Sequence, residues 1–154
     1  MLTAYCDGSH KSSRIGWGFL IVEDHSRIVA LDSGRVTDAR VTGARNVAGE
    51  LSAVMYAVKW FHDHDEVGEL AVDFELPIRI WNGTAKKFKS FATHFFAEFL
   101  NMNRNRITRV YKVDSHGANK WQNKVDKIAR QAADPMNFET KTKPFSLQLA
   151  MAAN

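Results

Sequence analysis

Two short apolar runs in this 154-residue chain each end on an aspartate: Thr3-Ala4-Tyr5-Cys6-Asp7 and Leu70-Ala71-Val72-Asp73. A carboxylate at the end of a buried strand loses part of its hydration, which disfavours its charge unless a partner restores the balance. A fold containing both strands must bring their ends either to water or to a shared cation. Glu50, at the opening of a helix within Arg45-Asn46-Val47-Ala48-Gly49-Glu50-Leu51, and Asp126, in a late helix, add two more carboxylates of the same kind. Four acids converging on one spot repel each other unless divalent cations fill the gap. That pattern points to metal-dependent cutting of phosphodiesters.

The order of elements is compatible with such convergence. Leu2–Cys6 is predicted as a strand, broken at Asp7-Gly8-Ser9 and followed by a polar loop to Arg14. Apolar runs at Trp17–Val22 and Ile28–Leu31, separated by a turn-like Glu23-Asp24-His25-Ser26, predict two further strands joined by hairpins. Leu51, Val54, Met55, Val58 and Phe61 recur at helical spacing, with Asn46 as the expected N-cap. Leu70–Asp73 follows as a strand reached through that helix, so it should lie parallel after a crossover. Phe88, Phe91, Ala92, Phe95 and Phe99 predict a helix over 85–100 that packs on the sheet. Ile107–Val113 is a fifth strand, and Trp121, Val125, Ile128, Ala129 and Ala132 mark a last helix that stops before Pro135. The expectation is an α/β fold with a five-stranded mixed sheet, three antiparallel strands followed by parallel ones, flanked by helices. Sites in such sheets form at the carboxyl ends of the strands, where Asp7 and Asp73 stand. One domain over residues 1–134 and a C-terminal tail over 135–154, without clear periodicity, complete the division.

Composition narrows the classes further. No stretch approaches the roughly 18 apolar residues that a membrane helix needs. Met1-Leu2-Thr3 runs directly into a strand, so no signal peptide is expected and the predicted location is cytoplasmic. Cys6 is the single cysteine, which excludes an intrachain disulfide and a cysteine-based zinc site. The net charge of +4 is mild, but lysine and arginine crowd the second half of the chain, Lys86, Lys87, Lys89 and Lys120 among them. A basic surface flanking an acidic pocket suits an enzyme that cleaves a polyanion.

Taken in order, Asp7-Gly8-Ser9 after a strand, Asn46 to Glu50 entering a helix, a strand-ending Asp73, and Lys112-Val113-Asp114-Ser115-His116 with Asp126 ten residues later resemble ribonuclease H type 1. The phrase Arg45–Leu51 is similar to the subgroup that often carries a separate hybrid-binding module at its N-terminus, a module not expected here. The resemblance covers about residues 2–133 and implies a ribonuclease H-like fold acting on RNA–DNA hybrids. It implies two Mg²⁺ ions about 4 Å apart, for which Mn²⁺ can substitute, held by Asp7, Glu50, Asp73 and Asp126, with Asp7 bridging. His116 would assist proton transfer or product departure. Asn46 and the backbone of Gly8 and Ser9 would contact the hybrid, and the lysines its phosphates. A monomer is expected, since one domain holds the whole site.

Two registers stay open for the third ligand: Asp73, or Asn82 if the strand instead runs from Pro77 to Trp81. The 23-residue separation of Asp73 from Glu50 and its 43-residue separation from His116 favour Asp73. Gln122 stands where the family usually has asparagine. The rival readings are another nuclease of the same fold acting on DNA, and a binding module that has lost turnover.

Overall fold

A computed structural model describes residues 1–37, 45–85, 88, 90–114 and 117–137, with the backbone alone at Asn46. Strands β1 (Leu2–Lys11), β2 (Arg14–Glu23) and β3 (Arg27–Val36) form an antiparallel meander. Its tight turns use left-handed backbone at Ser12, Asp24 and His25, the conformation that matches the twist of short hairpins. The chain then enters helix α1 (Asn46–Asp63) and returns as β4 (Gly68–Val72), parallel to β1. Helices α2 (Leu76–Asn82) and α3 (Phe91–Met102) lead to β5 (Ile107–Lys112), parallel to β4, and α4 (Lys120–Ala133) follows. The sheet order is β3-β2-β1-β4-β5, the mixed five-stranded sheet that the apolar pattern predicts.

Several boundaries differ from the sequence expectation. The first strand does not break at Asp7. It continues to Lys11, with Asp7 opposite Gly18, Gly8 opposite Trp17 and Ser9 opposite Gly16. The alternation is invisible in sequence because this stretch carries Gly8 and polar side chains and no apolar one. The stretch Pro77–Trp81 is helical, not a strand, and Asn82 is exposed at the end of α2. Helix α3 starts at Phe91 instead of Ala85, because the Ser90 side chain accepts the Thr93 amide and caps it there. Arg45, not Asn46, occupies the N-cap of α1, without a side-chain capping bond. The tail begins with an anchored turn: Arg35 of β3 donates to the carbonyls of Ala132 and Asn137. Residues 138–154 lie outside the described residues.

The two faces of the sheet are packed differently. One meets α1 and α3 in a large core that contains Trp17, Leu51, Met55, Phe61, Phe96 and Phe99, all fully buried. Trp17 stacks on Tyr56 at 4.4 Å between ring centroids. The other face, under α4, holds a small cluster of Tyr5, Leu20, Val22, Ala71 and Val125. Where the sheet must approach helices most closely, glycine replaces side chains. A Cβ on Gly8 would stand 2.2 Å from the Glu50 amide nitrogen, and one on Gly49 would stand 2.6 Å from the Gly16 carbonyl oxygen. On the opposite face a Gly16 Cβ would meet the Ala133 nitrogen at 2.5 Å. The start of α1, the middle of the first hairpin and the end of α4 are thus pressed together backbone to backbone.

Because the Gly8 clash is with backbone, no side chain can give way. Gly8→Ala is expected to destabilise the protein by about 2 kcal/mol or more, in the range of overpacked cores, and urea denaturation will measure it.

Candidate active site

Strand β4 pairs with β1 only from Leu2 to Tyr5, the last pair being Tyr5–Ala71. Two residues further along each chain stand Asp7, still inside β1, and Asp73, just past the end of β4. They keep the side-chain parity of Tyr5 and Ala71, so both carboxylates leave the sheet on the side of α4. Glu50 comes from α1, whose start rests on Gly8. It is the fifth residue of that helix, beyond its first turn, so the helix N-terminus does little to stabilise its charge.

These placements bring Asp7, Glu50 and Asp73 together. One carboxylate oxygen of each lies within 4.8 Å of the other two. Asp7 is 4% exposed, and its Oδ1 accepts the Gly8 amide at 2.9 Å. Helix α4 adds Asp126, whose carboxyl adjoins that of Asp7 and raises its proton affinity. On its outer side Asp126 pairs with Arg130, one helical turn on, at 3.1 Å. Asp73 acts on both Asp7 and Glu50, and Asp126 acts on Asp7. Asp73 belongs to this group, whereas Asn82 is exposed at the end of α2.

The electrostatics follow from the geometry. Burial, followed by the Asp73 charge, pushes the Asp7 carboxyl up from its ordinary range to about 8, with Asp126 adding to the rise against the Gly8 amide. Burial and then Asp73 push Glu50 to about 8 as well. The same surroundings raise the Cys6 thiol, so it is an inert packed side chain. Without a cation the group cannot be fully ionised at neutral pH. An all-carboxylate donor set of this size, short of positive charge, fits a hard divalent cation such as Mg²⁺.

The remaining sequence candidates divide by what the structure describes. Gly8 and Ser9 lie on β1 beyond the end of its pairing with β4, next to Asp7. Asn46 is the first residue of α1, and its side chain lies outside the described residues, as do His116, Lys86, Lys87 and Lys89. The Lys120 ammonium sits over the Trp121 ring at 4.5 Å, at the start of α4. Gln122, one turn before Asp126, is 1% exposed, and neither its amide oxygen nor its nitrogen has a hydrogen-bond partner among the described residues. The sequence reading missed Arg130, although its four-residue spacing from Asp126 on an amphipathic helix is the signal for such a pair.

No protein-family profile matches the chain, and no curated protein sequence matches it. Solved structures do. The N-terminal RNase H domain of a Mycobacterium tuberculosis protein, studied as a fusion with maltose-binding protein, is 16% identical with a TM-score of 0.69, over 86% of this chain and 93% of that one. RNase H1 from the halophilic archaeon Halobacterium salinarum is 18% identical with a TM-score of 0.69, over 85% and 96%. LC11-RNase H1, solved in complex with an RNA/DNA hybrid, is 18% identical with a TM-score of 0.67, over 87% and 97%. The chain has the ribonuclease H fold.

Two carboxyls whose folded-state values lie near 8, against about 4 when unfolded, make the native state the better proton binder between those limits. The contribution of these two groups to the stability of the metal-free protein should therefore be fully present below about pH 4 and be lost as pH rises through about 8. Mg²⁺ should offset the loss, raising Tm more at pH 8 than at pH 5. Thermal unfolding with Mg²⁺ and with chelator at both pH values checks this.

Proposed function

We propose that this chain is a metal-dependent endoribonuclease that hydrolyses the RNA strand of RNA–DNA hybrids, leaving 5′-phosphate and 3′-hydroxyl ends. The observation that carries the reading is the convergence of Asp7, Glu50 and Asp73, with Asp126 against Asp7, at the ends of the parallel strands of a ribonuclease H fold. The similarity of that fold to a protein solved on an RNA/DNA hybrid supports the substrate class.

In this reading Asp7, Glu50, Asp73 and Asp126 would hold the metal, with Asp7, the most buried of them, the candidate for a shared ligand. When bound, a pair of Mg²⁺ ions, or Mn²⁺ in their place, supplies the charge that activates a water and stabilises the leaving 3′ oxygen. The protein's part is to hold four carboxylates in place against their repulsion and to present the substrate in line. The open edge of β1 at Gly8 and Ser9 and the start of α1 at Asn46 flank the group, within reach of the sugars of a bound strand. Contact with the 2′-hydroxyl is what separates RNA from DNA there, while the duplex is recognised by its shape. His116, ten residues before Asp126, takes the role of proton carrier for the departing product. One chain holds the complete carboxylate set, so the enzyme works as a monomer, and a cytoplasmic setting fits it. None of the described helices is long and apolar enough to cross a membrane.

An end-labelled RNA–DNA hybrid, offered beside single-stranded RNA, duplex RNA and duplex DNA, tests the reading. Cleavage of the hybrid's RNA strand alone, present with Mg²⁺ and absent with chelator, is expected. Cutting of the all-DNA duplex would instead assign a DNA nuclease of the same fold, and hybrid binding without cutting would assign a binding module.

Asp73→Asn keeps the shape of the third ligand and removes its charge. It should lower hybrid cleavage more than about 100-fold, beyond the loss typical of groups that only support a metal ligand, and leave metal-free hybrid binding unchanged. Normal cleavage by this variant would remove Asp73 from the ligand set.

A further inference from the structure

Beyond the carboxylate group, β1 runs on for four residues without β4 beside it, about 13 Å of strand from Asp7 to Lys11. Along this stretch lies a cleft of about 500 Å³, walled by Ser9, His10 and Lys11 on one side and by Arg130, Gln131 and Asp134 of the α4 end on the other. It is a distinct site from the acid group but shares two boundaries with it: Ser9 follows Gly8 on β1, and Arg130 touches Asp126. Its two cations are mobile partners of aspartates. Lys11 stands 4.0 Å from Asp134 with its side chain 62% exposed, and Arg130 pairs with Asp126 with its side chain 61% exposed. Such exposed pairs are weak, so either cation can exchange its partner for another anion at little cost.

Two more cations lie near the cleft without lining it: Arg14 faces Lys11 across the hairpin, and Arg35 lies on the same face of the sheet one strand further. The Arg14 Nη1 is buried without a hydrogen-bond partner among the described residues. Asp134 and the carbonyl end of α4 oppose an anion, but Arg35 already donates to the Ala132 carbonyl and Lys11 already faces Asp134. The lining itself carries two cationic side chains, Lys11 and Arg130, against the single carboxylate of Asp134, beside a group of acids that needs positive charge.

We propose that this cleft is a phosphate-binding subsite for the strand that is cut, in which Lys11 and Arg130 take backbone phosphates beside the one held over the carboxylates. The proposal rests on the hybrid-ribonuclease reading and adds to it the part of the surface that holds the flanking strand. Arg130 has a double position: moving to a phosphate, it would release Asp126 for the metal group, so occupation of the cleft and completion of the ligand set would go together.

The test is hybrid binding in chelator, where no cleavage occurs, measured from 50 to 300 mM salt. Removing a cation that contacts a phosphate should reduce the slope of log K against log salt by about 1. Lys11→Gln, which leaves the carboxylates untouched, should lower the slope by about 1, and Lys11→Gln with Arg130→Gln by about 2. A single neutral methylphosphonate placed beside the cut site should weaken wild-type binding and leave the double variant indifferent. Unchanged slopes in folded variants, with the hybrid bound and cut by the wild type, would overturn the subsite and leave the enzyme reading standing. Failure of the wild type to bind or cut the hybrid at all would overturn both.

Discussion

The contact on which this structure depends is the backbone of α1 lying on the backbone of β1 at Gly8. Glu50 is on a helix and Asp7 is on a strand of the sheet that the helix covers. Ordinary helix-on-sheet packing keeps backbones about 10 Å apart through the side chains between them. Here a single added carbon would fall 2.2 Å from the Glu50 nitrogen. The absence of that carbon brings the Glu50 carboxylate to the edge of the sheet, within 4.8 Å of Asp7 and Asp73. Gly49 against Gly16, and Gly16 against the end of α4, repeat the device through the sheet. The acids are thereby held by the least deformable part of the molecule.

That rigidity has an electrostatic consequence. Carboxylates on flexible loops would separate to relieve their repulsion, whereas these are held in place, where burial and the Asp73 charge raise the affinity of Asp7 and Glu50 for protons. A divalent cation at this group would supply positive charge in place of those protons, so its binding would release protons and stabilise the fold. Arg130 at Asp126 is a partial answer of the same kind from within the chain. It neutralises the outermost acid only, the one whose side chain is 28% exposed and least in need of it.

Much of this was legible in the sequence, and the reasons for the rest are physical. Asp7 and Asp73 were readable because each follows an apolar run, and parallel pairing of those runs puts equivalent ends together. The sheet order follows from three hairpin-linked runs and two helix-linked ones. The continuation of β1 to Lys11 was hidden, because Gly8 against α1 and the polar Asp7, Ser9 and Lys11 on the other face leave no apolar residue to alternate. The α2 helix was hidden by its brevity, since Leu76–Asn82 is too short to show a period. The preference for Asp73 over Asn82 came from its separations from Glu50 and His116, and the fold adds the reason: the strand stops at Val72, and Pro77–Trp81 is helical. Arg130 was readable only to someone who already knew that Asp126 mattered.

The unequal packing of the two faces bears on how the site is completed. Helix α1 is tied down by a core that runs from Trp17 to Phe99, so Glu50 shares the fixity of the domain. Helix α4 covers a cluster of five buried residues, and its approach at Gly16 and Gly18 depends on close fit rather than on interlocking large side chains. Both faces contribute to the carboxylate group: Glu50 comes from α1 on the side of the large core, while Asp7 and Asp73 leave the sheet toward α4, which carries Asp126 and Arg130. An added Cβ at Gly16 would stand 2.5 Å from the Ala133 nitrogen, nearly as close as one at Gly8 to the Glu50 nitrogen, so α4 as well as α1 is seated on the sheet by backbone contact. With little core beneath it, α4 keeps its acid in place through that close fit, and a side chain added at Gly16 would displace Asp126 as one at Gly8 would displace Glu50.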